Sequence, residues 1–295
     1  VKLANLLGRA VVISGEGVGL DVERASAGRF SSDVMELFER WPEFAEWASG
    51  RESQADEPID LNALWAPVPR PRQVFALALN YGDHAEEAGH KRPSDLCVFT
   101  KFPTAITGPR ATVSLPSPAV DWEVELVVVI GRIAWEVAYE AAWSHVAGIT
   151  VGQDLSDRKL QLAGARPQFS LGKSHRGFAP LGPWLVTVDE VPDPEDLELG
   201  CELDGEVVQR ARTSEMIWSV GDIIAELSRI CPLLPGDLIF TGTPAGVGMA
   251  RQPARFIGPG AVLRSWVEGV GELENRFVAG PRYHPATASE EEKDK

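Results

Sequence analysis

Asp121-Trp-Glu-Val-Glu-Leu-Val-Val-Val-Ile-Gly131 decides how this chain is read. From Val124 to Ile130 it is apolar except for Glu125, rich in β-branched residues and closed by a glycine, so it predicts a strand. Alternate side chains of a strand share a face, which turns Glu123 and Glu125 one way and Trp122, Val124, Leu126 and Val128 the other. Two rises of about 3.4 Å place the glutamate β-carbons roughly 7 Å apart. Carboxylates so close on a partly buried face raise each other's pKa, whereas a hard divalent cation reverses that sign. With no His or Cys in the cluster, the ligands are oxygen, which suits Mg²⁺ or Mn²⁺, with Ca²⁺ as a further option, better than zinc. The plainer reading is an edge strand whose glutamates face water.

A third acid, Asp154, lies in Gly152-Gln-Asp-Leu-Ser-Asp-Arg158, just after the apolar run 146–151. Taken alone it is an ordinary N-cap opening a polar turn. Upstream, Asn80-Tyr-Gly-Asp-His-Ala-Glu-Glu-Ala-Gly89 follows the strand-like run 74–79. If Asp83 caps a short helix, Glu86 completes a capping-box-like pair, and Glu87 stands on the face of His84 three residues on. An imidazole oriented by a carboxylate makes a suitable general base. A surface helix with a plain His–Glu contact is the alternative. Gly82 and Gly89 flank the helix, so it could open and close over a pocket.

The rest of the chain sets bounds. Its 295 residues, 44% hydrophobic, suffice for one large domain and a smaller one. A net charge of −15 and a pI near 4.8 argue against a nucleic-acid partner. Cys97, Cys201 and Cys231 form no disulfide framework or thiolate zinc pattern and fit a reducing cytoplasm. No signal-type cleavage site follows the apolar start, and no run approaches the roughly 20 apolar residues of a membrane span.

Residues 1–68 read as a small N-terminal α/β module, with a strand over 10–13 and a helical pattern over 32–49 carrying Met35, Leu37, Phe38, Trp41, Phe44 and Trp47. Three prolines in Ala66-Pro-Val-Pro-Arg-Pro-Arg72 mark its boundary. Residues 69–280 should form the catalytic domain and 281–295 an acidic, disordered tail. In the catalytic domain, short β runs at 74–79, 124–130, 184–188, 238–241 and 262–267 outnumber the helical stretches at 139–145 and 219–230. Strands and helices do not alternate, so a β-rich α+β body is expected rather than a doubly wound sheet. A nucleotide cofactor is not expected. Gly172-Lys-Ser174 has Pro167 where a phosphate loop needs glycine, and Gly15-Glu-Gly-Val-Gly19 lacks the dinucleotide spacing.

Taken together and in order, these segments resemble the fumarylacetoacetate hydrolase family, in its branch of acylpyruvate hydrolases, oxaloacetate decarboxylases and 2-hydroxyhepta-2,4-diene-1,7-dioate isomerases. Phe99-Thr-Lys-Phe-Pro103, Gly172-Lys-Ser174, Pro180-Leu-Gly-Pro183, Asp204-Gly-Glu-Val-Val-Gln209 and Pro235-Gly-Asp-Leu-Ile-Phe-Thr-Gly-Thr-Pro-Ala-Gly-Val-Gly248 match its pattern, and the likeness covers about residues 70–280. The resemblance implies a mixed β-sandwich roll, a homodimer and a small anionic oxo-acid substrate. It implies Glu123, Glu125 and Asp154 as metal ligands, His84 and Glu87 as a lid-borne dyad, and Lys173 beside the substrate. Arg158, Gln161 and Thr243 become substrate contacts. The expected reaction is hydrolysis of a carbon–carbon bond in a 2,4-dioxo acid, with decarboxylation, isomerisation or a non-catalytic metal-binding scaffold as alternatives. His175 and Arg176 stand where the family shows an aromatic and an acid, and Gln153 where it shows Asn, which bears on substrate identity. For the Gly-rich stretch 242–248, shaping the pocket wall and binding ligand through amides remain equally open.

Overall fold

The computed structural model describes residues 1–14, 17–55 and 57–284. The expected tail beyond 284 and the Gly15-Glu16 pair lie outside the described residues. The Val124–Ile130 strand runs antiparallel to Val146–Gln153 on one side and to Leu238–Phe240 on the other. It is therefore central, which removes the edge-strand reading of its glutamates. Its sheet has 12 strands, and from Val124–Ile130 it continues outward through Leu238–Phe240 to Val74–Ala78 and Cys97–Thr100. In the other direction it passes through Val146–Gln153 and Ala179–Val186 to the N-terminal strand Lys2–Leu6 and its hairpin partner Arg9–Ser14. The N-terminal strands thus extend the sheet that carries the acids, with Lys2 opposite Val186 and Leu3 opposite Leu185.

A central strand must be apolar on both faces. Val127 and Val129 pack under Phe38, Trp41 and Phe44 of the N-terminal helices. Leu126, Val128 and Ile130 pack under Ile223, Ile224 and Leu227 of the Val220–Ile230 helix. That second core also takes Leu199, Val267 and Leu273 from a five-stranded sheet, so two sheets share one interior. The fold is a strand-rich α+β sandwich, as expected.

Local chemistry explains where elements start and stop. The helical pattern over 32–49 divides into Val34–Phe38 and Trp41–Ala48. Pro42 in the first turn of the second helix has no N–H for a carbonyl of the first, so the two cannot be continuous. Residues 139–145 form a 3₁₀ helix rather than an α-helix. Ser219 and Asp222 make a full capping box at the start of Val220–Ile230. The short Gly82–Glu87 helix is capped by Tyr81 with no side-chain bond, so Asp83 is not the cap and the expected pair with Glu86 does not form.

Candidate active site

Glu123 stands one residue before the Val124–Ile130 strand, and Asp154 one residue after Val146–Gln153. Because these strands are antiparallel, with Val124 opposite Gln153, the two acids leave the sheet at the same end. The Asp154 N–H donates to the Glu123 carbonyl at 2.8 Å, so Asp154 serves the sheet edge rather than a helix cap. Glu125 lies opposite Gly152, where an added Cβ would fall 2.4 Å from Val127 Cγ2 and 2.8 Å from the Phe240 ring. The ligand-type oxygens of the three acids all lie within 4.8 Å of one another, and all three residues are buried.

Buried cations hold this cluster together. Lys173 Nζ donates to Glu123 Oε2 and Asp154 Oδ2, both at 2.6 Å. Lys101, fully buried, donates to Asp154 Oδ1 and to the Lys173 carbonyl. Arg158 Nη2 lies 2.8 Å from both Asp121 Oδ2 and Glu123 Oε1. The guanidinium thus bridges the two carboxylates. Burial would raise the Glu123 carboxyl, but Lys173 and Arg158 overcome it and hold it below the usual carboxylate range. Burial, with Asp154 and Glu123 alongside, pushes Glu125 well above that range. Lys101 is lowered by burial, only partly offset by Asp154.

Glu125 Oε2 accepts from the Gly242 N–H at 2.7 Å, but Oε1 is buried with no partner. An orphaned carboxylate oxygen among two more carboxylates is a poor structural element and a good ligand for a hard cation. When ionised, Asp121, Glu123, Glu125 and Asp154 outnumber Lys101, Arg158 and Lys173 by one charge. A divalent ion would leave the site one charge positive, the sign that an anionic substrate needs.

Across from the acids, His84 Nδ1 lies 3.0 Å from Glu87 Oε1. Glu87 also accepts from the Gly246 N–H at 3.0 Å, which ties the short helix to the Gly-rich loop. Burial would raise the Glu87 carboxyl, but His84 and the Gly246 amide hold it low. The same loop gives the Gly248 and Met249 amides to Asp121, at 2.7 and 3.0 Å. Its amides do bind carboxylates, but the chain's own. Gly246 has φ of +107°, and a Cβ there would meet the Val208 carbonyl at 2.2 Å, so the turn requires glycine.

A cavity of about 300 Å³ is lined by His84, Glu87, Glu123, Arg158, Lys173 and Thr243, with Gln161 beside them. Every sequence-level candidate except the two innermost acids, Glu125 and Asp154, lines it directly. Gln161 accepts from Arg158 Nη1 at 2.9 Å and keeps its amide N–H groups free. Thr243 is more committed, since its hydroxyl donates to the Val124 carbonyl and accepts from Gln209 Nε2. The two departures from the family pattern lie off the cavity. Gln153 is fully buried, accepting from the Glu123 N–H and donating to Ser265, and His175 packs on Phe178 with Nε2 3.3 Å from Asp157. Sequence reading gave no role to Lys101 or Asp121. Asp121 shares the i, i+2, i+4 spacing of Glu123 and Glu125, a signal that was present. Lys101 had only its place between two phenylalanines.

Fold and site together define an enzyme of the α+β class built around an acidic cluster that fits a divalent metal. Residues 73–278 match the family described as fumarylacetoacetate (FAA) hydrolase C-terminal. The chain belongs to the fumarylacetoacetate hydrolase family. It is 41% identical over 215 residues to the rat protein named oxaloacetate tautomerase Fahd2a, mitochondrial, covering 72% of this chain and 68% of that one. A crystal structure titled as a putative HpcE protein from Mycobacterium smegmatis superposes with a TM-score of 0.88 at 53% identity, covering 95% of this chain and 100% of that one. Maleylpyruvate hydrolase from Sphingobium sp. SYK-6, solved with manganese(II) and pyruvate, has a TM-score of 0.78 at 27% identity, covering 95% and 100%. No helix among the described residues is long and apolar enough to cross a membrane. The three cysteines are free.

Proposed function

We propose that this enzyme hydrolyses a carbon–carbon bond of a 2,4-dioxo acid of the acylpyruvate or fumarylpyruvate type. The observation that carries the reading is His84, paired through Nδ1 with Glu87 at 3.0 Å while it lines the cavity of Glu123, Arg158 and Lys173. With Nδ1 donating to the carboxylate, Nε2 keeps its lone pair for a proton from water. A Mg²⁺ or Mn²⁺ ion held by Glu123, Glu125 and Asp154 would supply Lewis acidity toward the substrate's carboxylate and 2-oxo oxygen.

Arg158 and Gln161 orient the anionic end. His84 takes a proton from water, and the resulting hydroxide adds to the 4-carbonyl carbon. The C3–C4 bond then breaks, and its electron pair passes to C3 as the enolate of pyruvate. C4 departs in a carboxylic acid. Lys173 faces the charge that develops on the enolate oxygen, and the proton on His84 returns to C3. Closure of the Gly82–Glu87 helix, tied to the loop through Glu87 and Gly246, keeps bulk water out. Homodimerisation and a cytoplasmic setting belong to the same reading.

A second reading, enol–keto interconversion of oxaloacetate, is favoured by relatives such as the human protein named oxaloacetate tautomerase FAHD2A, mitochondrial, 43% identical over 215 residues. It would use the same dyad for proton transfer at C3 with no water consumed. Product analysis separates the two. Release of pyruvate and a carboxylic acid from acetylpyruvate, lost in His84→Ala, is expected for hydrolysis. Loss of enol absorbance from oxaloacetate without any turnover of acylpyruvates would overturn it.

A further inference from the structure

The cavity is lined by two kinds of residue: the ionisable His84, Glu87, Glu123, Arg158 and Lys173, and the apolar Leu77, Leu79, Phe99, Leu162, Phe169 and Met249. Phe99 and Phe169 meet edge to face with ring centroids 5.7 Å apart, and Lys173 Nζ sits 4.9 Å from the Phe99 centroid. That ammonium touches both the acidic cluster and the Phe99 ring. We propose that the cavity selects a substrate with one carboxylate and an apolar acyl group, and discriminates against one with a second carboxylate at the far end. The inference rests on the reading above, in which the carboxylate and 2-oxo group lie at the acidic cluster.

Two observations carry it. Among the cavity-lining residues the guanidinium and ammonium groups are Arg158 and Lys173, and both already face carboxylates of the chain: Asp121 and Glu123 for Arg158, Glu123 and Asp154 for Lys173. With a divalent ion bound, their remaining capacity matches one incoming carboxylate. A second, at the tail, would meet the Phe99–Phe169 pair, and beyond Arg158 and Lys173 the lining offers it no further guanidinium or ammonium group. It would give up hydration with no cation to pair with. An alkyl or acyl tail instead gains about fourfold in affinity for each methylene withdrawn from water.

Binding to the metal-loaded enzyme tests the wall separately from the reaction. Isothermal titration with pyruvate, 2-oxohexanoate and 2-oxopentanedioate compares no tail, an apolar tail and a carboxylate-ended tail. The expected result is that 2-oxohexanoate binds about tenfold or more tighter than pyruvate, with 2-oxopentanedioate no tighter than pyruvate. Leu162, 47% exposed, tolerates a charge without disturbing the core, and Leu162→Lys should bring 2-oxopentanedioate about tenfold closer to 2-oxohexanoate. Phe169→Arg should act in the same direction. Binding of 2-oxopentanedioate equal to or tighter than that of 2-oxohexanoate, or indifference to the alkyl tail, overturns the proposal. Pyruvate binding reports on the anchor, tail order on the wall, and released products on the reaction. The selectivity can thus fail while hydrolysis stands, and hydrolysis can fail while the selectivity stands.

Discussion

Arg158 Nε and Nη2 converge on a single oxygen of Asp121, at 2.9 and 2.8 Å. The other oxygen of Asp121 accepts from the Gly248 N–H at 2.7 Å and the Trp122 N–H at 2.8 Å. Asp121 thereby fixes Arg158 against the Gly-rich loop. Replacing it with Asn keeps the shape and removes the charge that holds the guanidinium. Asp121→Asn should raise KM for the oxo acid about tenfold or more, from the ~1.5–3 kcal/mol of a charge-assisted hydrogen bond, with a smaller change in kcat. Steady-state kinetics check this, and an unchanged KM would show that Arg158 is held by other means.

Glu125 should show opposite effects on the metal-free and metal-loaded protein. Its Oε1 is buried and unpartnered, so the ionised side chain weakens the metal-free fold. Glu125→Gln keeps an acceptor for the Gly242 N–H and should stabilise the chelator-treated protein by about 1 kcal/mol. The rise in Tm caused by Mn²⁺ in the parent should vanish in the variant. Thermal melts with Mn²⁺ and with chelator read both effects, and a variant that still gains Tm from Mn²⁺ would remove Glu125 from the ligand set.

Lys101 is a structural cation rather than a reacting one. It is absent from the cavity lining, and its ammonium is spent on Asp154 and the Lys173 carbonyl. Lys101→Met fits the space but strips Asp154 Oδ1 of its buried cation, leaving Lys173 on Oδ2 alone. The expected loss is about 3–5 kcal/mol, measured by urea unfolding in the presence of chelator. A change below 1 kcal/mol would mean that Asp154 is satisfied without it.

The Glu87 clamp on the short helix carries a defined pH dependence. Its carboxyl is held below the usual value of 4.5 by His84 and the Gly246 amide, against the opposing effect of burial. A depressed acid adds stability that is fully present above its unfolded pKa and is lost as pH falls through the lower, folded value. Protection of residues 82–89 from hydrogen exchange, taken relative to the intrinsic rate at each pH, should therefore hold through neutral pH and drop only below 4.5. Glu87→Gln should show no such step, and its kcat should fall about 10²-fold or more because His84 loses the partner that orients it. An unchanged acid step in the variant would place the clamp elsewhere.

The run 124–130 announced a buried strand, and the spacing of Glu123 and Glu125 announced two acids on one face, because a strand's period of two is written directly into residue order. The helical stretch over 219–230 was legible in the same way, whereas the Ser219–Asp222 capping box that opens it was found only in the structure. The segment 80–89 announced a helix bearing His84 and Glu87 on one side but not its cap, because Tyr81 and Asp83 differ only in how the chain arrives from the preceding strand. Lys101 and Gln153 carry no comparable local mark, and Asp121 has only its i, i+2, i+4 spacing with Glu123 and Glu125. Their roles depend on partners at a distance, namely Asp154 for Lys101, Arg158 and Gly248 for Asp121, and Ser265 for Gln153.

Sequence alone determined that the runs around 74–78, 124–130, 238–240 and 262–267 are strand and where the acids stand in them, since short-range periodicity and turn chemistry act within a few residues. Only the tertiary structure decided that Glu123 and Asp154 leave antiparallel neighbours at the same end, that Lys101 stands beneath them, and that the amides of the Gly-rich loop are taken by Glu87, Glu125 and Asp121. Those outcomes follow from strand register and sheet packing. Both are set by burying apolar faces far apart in the chain, and no local pattern encodes them.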